Sequence, residues 1–148
     1  MLEAAGGERT LFCPAFPEYT VTVFQGRMFL GRTMLGDSFK RTDPVTPMTN
    51  SDLVEVLQPQ CKKKVGLISH SLLLRGTEAV ATHISQPGEP DLYIADAADD
   101  GDLIRIAELA INWPLTTGAD ALPIFLARAW QKTSPEMSRK DALSLIHI

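Results

Sequence analysis

The stretch of sequence that decides the fold is LFCPAFPEYTVTVFQGRMFLGRTMLGDSFKRTDPVTPMTNSDL, residues 11–53. Residues 10–13 predict a short buried strand, which Pro14 ends because proline has no N–H to donate to a strand ladder. The β-branched and aromatic residues of 21–24 and of 27–35 predict two further strands, with glycines at the turns. We interpret this pair of strands as an insertion or as an extension at the edge of a sheet.

Beyond this stretch, apolar runs typical of buried strands alternate with amphipathic segments typical of helices. Thr49 or Ser51 is a suitable N-cap for the first helix, and Thr77 is a suitable cap for the second. The alternation predicts a three-layer α/β fold, in which a mostly parallel sheet carries helices on both faces. The predicted strands are 64–70, 91–96 and 114–117, and the predicted helices are 52–58, 75–85, 99–111 and 121–132.

The composition is that of an ordinary globular domain. A length of 148 residues allows one domain with a proper core, and 45% hydrophobic against 22% charged residues is the usual balance. The net charge of −4, with Lys62–Lys64 as the single basic cluster, argues against nucleic acid as a partner. No apolar run reaches the length of a membrane span, so no membrane partner is predicted. Cys13 and Cys61 share no metal-ligand spacing, which predicts free thiols and a cytoplasmic location.

Four short pieces of the sequence carry a resemblance to a known family. They are CPAFP at 13–17, TVFQG at 22–26, the step from Ser38 to Arg41, and PVTPMTNSDL at 44–53. Together they resemble the N-terminal, sugar-binding domain of the four-carbon acid sugar kinases, a group that includes 3-oxo-tetronate, threonate and erythronate kinases. The resemblance implies that the chain is the incomplete N-terminal domain of a two-domain kinase.

The same resemblance divides the chain into segments. Residues 1–132 are predicted to be a partial sugar-binding domain, and residues 133–142 a linker or the start of an interdomain segment. The tail LSLIHI at 143–148 is similar to the in-frame translation of a sequencing adapter, so we interpret it as non-native. A natural apolar strand at the C-terminus is the alternative.

The function that the resemblance implies is ATP-dependent phosphorylation of a four-carbon acid sugar, to which this chain contributes substrate binding. ATP and Mg²⁺ are expected to be bound mainly by a C-terminal nucleotide-binding domain of the same protein, outside these 148 residues. The acid/base group is expected in a motif upstream of CPAFP, so no catalytic residue and no cofactor are predicted here. The fragment is expected to be inactive alone, and the question of a homo-oligomer stays open.

Arg41, Thr46 and Thr49 are the first substrate-binding candidates. A sugar acid presents one carboxylate and several hydroxyls; arginine makes charge-assisted paired bonds to the carboxylate, and threonine both donates to and accepts from hydroxyls. The alternative is that Arg41 is a solvated loop charge and that the threonines cap a helix. Both interpretations are open at this point.

Asp96, Thr117 and Gly118 are the second group of substrate-binding candidates. Asp96 ends a predicted strand, where α/β sheets present ligand groups, although it is equally suited to cap the next turn. Thr117 and Gly118 lie between the last strand and its helix, where a glycine lets the backbone approach an anion. Asp120, which replaces a residue usual in the family, weakens an anion site at that helix.

Two other function classes remain open on the residues alone. A non-catalytic α/β binding or regulatory module would need no nucleotide domain, and a Rossmann-type oxidoreductase would need a glycine fingerprint that the sequence lacks. The three histidines, His70, His83 and His147, have no metal-ligand spacing, so we interpret His70 as a loop residue and His83 as a surface residue.

Overall fold

The structure is a computed structural model, and it describes residues 6–133. The predicted linker at 133–142, apart from its first residue, and the predicted non-native tail at 143–148 lie outside the described residues. The strands are β1 (Thr10–Cys13), β2 (Val21–Phe24), β3 (Arg27–Leu30), β4 (Thr33–Met34), β5 (Val65–Ile68), β6 (Leu92–Ala95) and β7 (Thr117–Gly118). The α-helices are α1 (Leu53–Leu57), α2 (His70–Leu73), α3 (Thr77–Ile84), α4 (Asp100–Ala110) and α5 (Ala121–Thr133).

Four of the strands form the central parallel sheet, in the order β5-β6-β1-β7. Their residues are mostly apolar because both faces of a parallel sheet are covered, and Leu11, Cys13 and Ile94 are fully buried. Helices flank this sheet, so the predicted α/β fold with a mostly parallel sheet is confirmed. The predicted last strand at 114–117 is wrong in its bounds, because β7 pairs only where Thr117 and Gly118 lie beside β1.

The hairpin region forms a second, antiparallel sheet, in the order β2-β3-β4. The single strand predicted over 27–35 is wrong, because a turn at Gly31, with φ of +60°, divides it into β3 and β4. This small sheet is an insertion and not an extension of the parallel sheet. Three isolated bridges attach it to the rest of the molecule: Phe16 with Val21, Val23 with Ala97, and Arg27 with Asp52.

Local capping differs from the prediction at the first two helices. Asp52 caps α1, because its carboxylate accepts from the N–H groups of Val54 and Glu55, whereas the Ser51 hydroxyl accepts from the Gly36 N–H. Thr77 is the first residue of α3 and does not cap it. The short helix α2 was not predicted, since its apolar residues continue the run that was interpreted as a strand. None of the helices within residues 6–133 is long and apolar enough to cross a membrane.

Candidate functional site

The carboxyl ends of β5, β6 and β1 meet at one edge of the parallel sheet, which we call the carboxyl edge. His70 follows β5 after one residue, Asp96 follows β6 directly, and Pro14 follows β1 directly. Open α/β sheets bind ligands outside the carboxyl ends of their strands. The carboxyl edge is therefore the first place to examine for function.

Asp96 ties three separate segments together at the carboxyl edge. Its side chain is fully buried, and its carboxylate accepts hydrogen bonds from the backbone N–H groups of Gln25 at 2.8 Å, Gly26 at 2.9 Å and His70 at 2.8 Å. Gln25 and Gly26 form the tight β2–β3 turn with φ of 51° and 74°. Asp96 thus anchors that turn and the start of α2, and it can act on a ligand only through the groups it positions.

His70 and Asp102 form a hydrogen-bonded pair beside Asp96. The Nδ1 atom of His70 lies 3.0 Å from Oδ2 of Asp102, whose side chain is fully buried, while the His70 side chain is 24% exposed. Oδ2 of Asp102 also accepts from the Ala98 N–H at 2.9 Å, and Arg105 lies 3.5 Å from the other oxygen. A carboxylate so surrounded by donors orients the imidazole and favours a proton on Nδ1.

Sequence reasoning missed the pairing of His70 with Asp102. From the sequence alone, Asp99, Asp100 and Asp102 form one acidic group at the start of the helix predicted over 99–111, and we interpret all three as charges that favour a helix N-terminus. In the structure the aspartates have different roles. Asp99 caps α4, since its carboxylate accepts from the Asp102 N–H, whereas the buried side chain of Asp102 is hydrogen-bonded to His70. One feature of the sequence could have indicated this pairing: a histidine follows a buried strand. A residue at that position lies close to the start of a neighbouring helix.

Phe24 borders the His70 ring on the outer face of the small antiparallel sheet. The two ring centroids are 5.6 Å apart, and the Phe24 side chain is 46% exposed. Successive side chains of a strand point to opposite faces, so Phe24 lies opposite to Val21 and Val23. The face with Val21 covers the interior, and the face with Phe24 is open to solvent beside His70.

An open cavity of about 720 Å³ lies on the inner face of the small sheet. Its wall is predominantly apolar, with Lys40 and Thr46 among its few polar residues. It is lined by Phe12, Pro14, Tyr19, Thr20, Val21, Met28, Leu30, Leu35, Phe39, Lys40, Thr46, Met48, Leu53 and Val56. Such a wall suits apolar groups better than a polyhydroxylated acid, which would lose hydrogen bonds to water there.

The predicted residues Arg41, Thr46 and Thr49 lie on one segment, 36–50, which we call the rim segment. Nη1 of Arg41 donates to the Gly36 carbonyl at 3.0 Å, and it lies 3.9 Å from the Asp37 carboxylate. Of the three, Thr46 lines the cavity. Thr49 is exposed, and its carbonyl packs against Gly36. All three residues are thus exposed, and the polar contacts of Arg41 reach only 4 and 5 positions along the chain.

Asp43 organises the tip of the rim segment. Its carboxylate accepts from the N–H groups of Thr46 and Val45, each at 3.0 Å, and from Nζ of Lys40 at 3.0 Å. The hydrogen bond from Thr46, followed by those from Lys40 and Val45, lowers the pKa of Asp43 to about 2. The carboxylate is therefore ionised at neutral pH and already engaged by its own loop.

Thr117 and Gly118 lie on β7, on the far side of β1 from Asp96. A Cβ atom added to Gly118 would lie 2.6 Å from the Cys13 carbonyl oxygen, so the close approach of two strands is enough to require glycine. The outer strands β5 and β7 are about 14 Å apart at three strand spacings; His70 follows β5, and Gly118 lies on β7. The six predicted substrate residues therefore fall into three places: the rim segment, the end of β6 and β7.

No group of three histidine, cysteine, aspartate or glutamate side chains within residues 6–133 is placed to hold a metal ion. Cys13 and Cys61 are free thiols. Burial raises the pKa of the Cys13 thiol to about 12, which keeps it neutral as part of the core.

Comparison with known families shows which family the chain belongs to. A family model described as a sugar-binding N-terminal domain matches residues 1–126 of the chain. The chain belongs to this family. The resemblance drawn from CPAFP and PVTPMTNSDL is therefore confirmed.

The named relatives that the chain matches include 3-oxo-tetronate kinases from several bacteria. The chain is 37% identical to the one from Cupriavidus necator over 147 residues, which is 98% of this chain and 34% of the relative. It is also 37% identical to the one from Burkholderia multivorans over 150 residues, 100% of this chain and 35% of the relative. The chain therefore spans about a third of the length of the curated relatives it matches.

Solved structures share the fold. A Haemophilus influenzae protein superposes with a TM-score of 0.83 at 27% identity, over 89% of this chain and 32% of that protein. A Bordetella bronchiseptica protein, crystallised as a domain-swapped dimer with bound citrate, superposes with a TM-score of 0.66 at 28% identity. The match covers 84% of this chain and 30% of that protein.

Proposed function

We propose that this chain contributes the substrate-binding part of an ATP-dependent kinase that phosphorylates 3-oxo-tetronate, threonate or erythronate. The observation that carries the proposal is the family match over residues 1–126, together with relatives that are named 3-oxo-tetronate kinases. Phosphoryl transfer depends largely on positioning and electrostatic stabilisation. A domain that holds the sugar acid in place would therefore supply part of what such an enzyme needs.

In this proposal, ATP and Mg²⁺ belong to the remainder of a longer protein. No transfer step is assigned to a residue of this chain, since the acid/base group is expected in a motif upstream of CPAFP. The chain on its own is expected to bind the sugar acid without transferring phosphate to it. A cytoplasmic location is part of the same proposal.

The sugar acid is placed at the carboxyl edge and not in the apolar cavity. The edge has polar groups on rigid elements, whereas the cavity wall would remove hydrogen-bonding water from the hydroxyls of the ligand. Asp96 positions the neighbouring backbone, and Thr117 and Gly118 border the edge from β7. The rim residues Arg41, Thr46 and Thr49 form the competing place.

Binding to the isolated chain is the first experiment. Backbone amide NMR of the labelled chain is recorded while threonate, erythronate or 3-oxo-tetronate is added, and butyrate serves as the four-carbon acid without hydroxyls. We expect saturable shifts around Asp96 and His70 for at least one sugar acid. If none of the three shifts any amide, the chain is not a sugar-acid-binding domain.

Two arginine variants separate the carboxyl edge from the rim segment. Arg41→Met removes the guanidinium beside Asp37, and Arg32→Met is the matched control in the exposed β3–β4 turn. If the sugar acid binds at the carboxyl edge, both variants are expected to bind it with the wild-type affinity. A tenfold weakening confined to Arg41→Met, worth about 1.4 kcal/mol, would move the site to the rim segment.

Transfer is tested in a chimera. This chain replaces the matching third of the Cupriavidus necator kinase, to which it is 37% identical, and release of ADP is measured with each acid. We expect turnover that depends on a four-carbon sugar acid, with the parental enzyme as the positive control. A folded chimera that binds the acid without turnover would favour the non-catalytic binding module instead.

A further inference from the structure

The pairing of His70 with Asp102 leaves one ring nitrogen to be explained. Nδ1 of His70 is held by Asp102 at 3.0 Å, and the backbone N–H of the same residue is held by Asp96 at 2.8 Å. Nε2 has no hydrogen-bond partner among residues 6–133, and it is not one of their buried unpartnered atoms. His70 is thus fixed at two points and presents a third polar atom outward from the carboxyl edge.

The state of that outward atom follows from its partner. The Asp102 carboxylate also takes the Ala98 N–H and lies near the Arg105 guanidinium, so it acts as an acceptor toward every neighbour. An imidazole that donates from Nδ1 to such a carboxylate carries a lone pair on Nε2 when it is neutral. His70 therefore offers an acceptor, oriented in advance, to a hydroxyl group.

The surroundings of Nε2 match the chemistry of a polyol. Phe24 lies beside the imidazole with 46% of its side chain exposed, so an apolar surface adjoins a hydrogen-bond acceptor. Small-molecule sites combine apolar and aromatic surface with a few well-placed polar groups. A short hydroxylated carbon chain can place its C–H groups on Phe24 and a hydroxyl on His70.

We propose that His70 and Phe24 form a hydroxyl-binding subsite for the sugar acid, in which Nε2 of His70 accepts a hydrogen bond from a hydroxyl and Asp102 orients the ring. The subsite rests on the proposed sugar-acid-binding function and names the groups of this chain that contact the polyol. His70 is its contacting residue, and Asp102 is a positioning residue.

NMR of the imidazole nitrogens in the uniformly ¹⁵N-labelled chain tests the subsite without any substitution. For the neutral imidazole of His70 we expect the proton on Nδ1, where Asp102 accepts it, and a lone pair on Nε2. Addition of threonate is expected to shift Nε2 of His70, whereas butyrate, which has no hydroxyl, leaves it in place. The ring nitrogens of His83 on α3 serve as the internal control. Nε2 of His83 lies 3.5 Å from Oε2 of Glu89.

A matched pair of variants tests the contribution to affinity. His70→Asn keeps a donor near the position of Nδ1 and removes Nε2, and His83→Asn makes the same change at the surface pair. Loss of one hydrogen bond is expected to weaken threonate binding about tenfold in His70→Asn and to leave His83→Asn at the wild-type affinity. Asp102→Asn is expected to shift the proton of His70 between its two nitrogens, which a merely structural role would not require.

The outcomes separate the two proposals. If saturating threonate shifts backbone amides but neither nitrogen of His70, or if His70→Asn binds threonate as the wild type does, the subsite is wrong and the sugar-acid function stands. If threonate and the other two acids shift nothing in the wild-type chain, the function itself fails and the subsite with it. The nitrogen spectrum of the wild-type chain decides the question even if a variant does not fold.

Discussion

The carboxyl edge and the rim segment both use aspartates to hold backbone N–H groups, but they do so over very different separations along the chain. Asp96 collects N–H groups from residues 71, 70 and 26 positions away and is fully buried. Asp43 collects its backbone N–H groups from residues only 2 and 3 positions away, in an exposed loop. The first arrangement exists only in the folded domain, and the second is close to a local turn.

This difference supports placing the proposed ligand site at the carboxyl edge. A buried carboxylate that is fully hydrogen-bonded fixes its neighbours, because breaking any one bond leaves a buried polar group unpaired. A loop carboxylate in water fixes little, since solvent replaces each bond it loses. A binding site needs side chains on rigid elements, so the comparison favours the carboxyl edge over the rim segment.

The largest expected effect comes from Asp96→Asn. The amide cannot accept all three N–H groups, and its own N–H₂ group would face one of those donors, so we expect the free energy of unfolding to fall by about 3 kcal/mol. Chemical denaturation followed by circular dichroism measures the loss. The β2–β3 turn should also lose protection from amide exchange.

Asp100→Asn is the control for Asp96→Asn. Asp100 is exposed in the first turn of α4, where its charge is worth less than about 1 kcal/mol. If both variants lost the same free energy of unfolding, the buried Asp96 carboxylate would be no more important for stability than an exposed one. The contrast drawn between the carboxyl edge and the rim segment would then be wrong.

A smaller effect is expected from Gly118→Ala on β7. The new methyl group would lie 2.6 Å from the Cys13 carbonyl, so the two strands must move apart, at a cost of about 2 kcal/mol. Thr117→Ala, on the exposed neighbour, should cost less than about 0.5 kcal/mol. Thermal unfolding of both variants measures this difference. A stable Gly118→Ala variant that no longer binds the sugar acid would instead assign the glycine to the ligand.

The elements that could be predicted from the sequence are those with local causes. The strand at 10–13 was predicted because an apolar run meets a proline, and the helix over 99–111 because its apolar residues recur at helical spacing. The domain boundary near residue 132 stays a prediction. The short helix α2 was missed, because capping by Ser69 interrupts a run that was apolar enough for a strand.

The candidate site could be predicted much less well than the fold. The hydrogen bonds of His70 to Asp96 and to Asp102 join residues 26 and 32 positions apart, and no local pattern encodes them. The substrate roles of Arg41, Thr46, Thr49, Asp96, Thr117 and Gly118 stay predictions, now divided among three places of the structure. Family motifs indicated which chemistry to expect, but only the tertiary contacts bring His70, Asp96 and Asp102 together at the carboxyl edge.

The smallest expected effect comes from Asp43→Asn in the rim segment. We expect unchanged cooperative unfolding and faster amide exchange at Val45 and Thr46, because only their bonds to the carboxylate weaken. The pKa of Asp43 is lowered to about 2 from an ordinary 3.8, so the ordering it provides is complete above pH 4 or so. In the wild type this ordering should be lost as the pH falls through about 2, and the Asn variant should show no such step. If Asp43→Asn instead weakens threonate binding, the ligand contacts the rim segment, because a carboxylate whose hydrogen bonds all lie within that segment has no other route to an effect at the carboxyl edge.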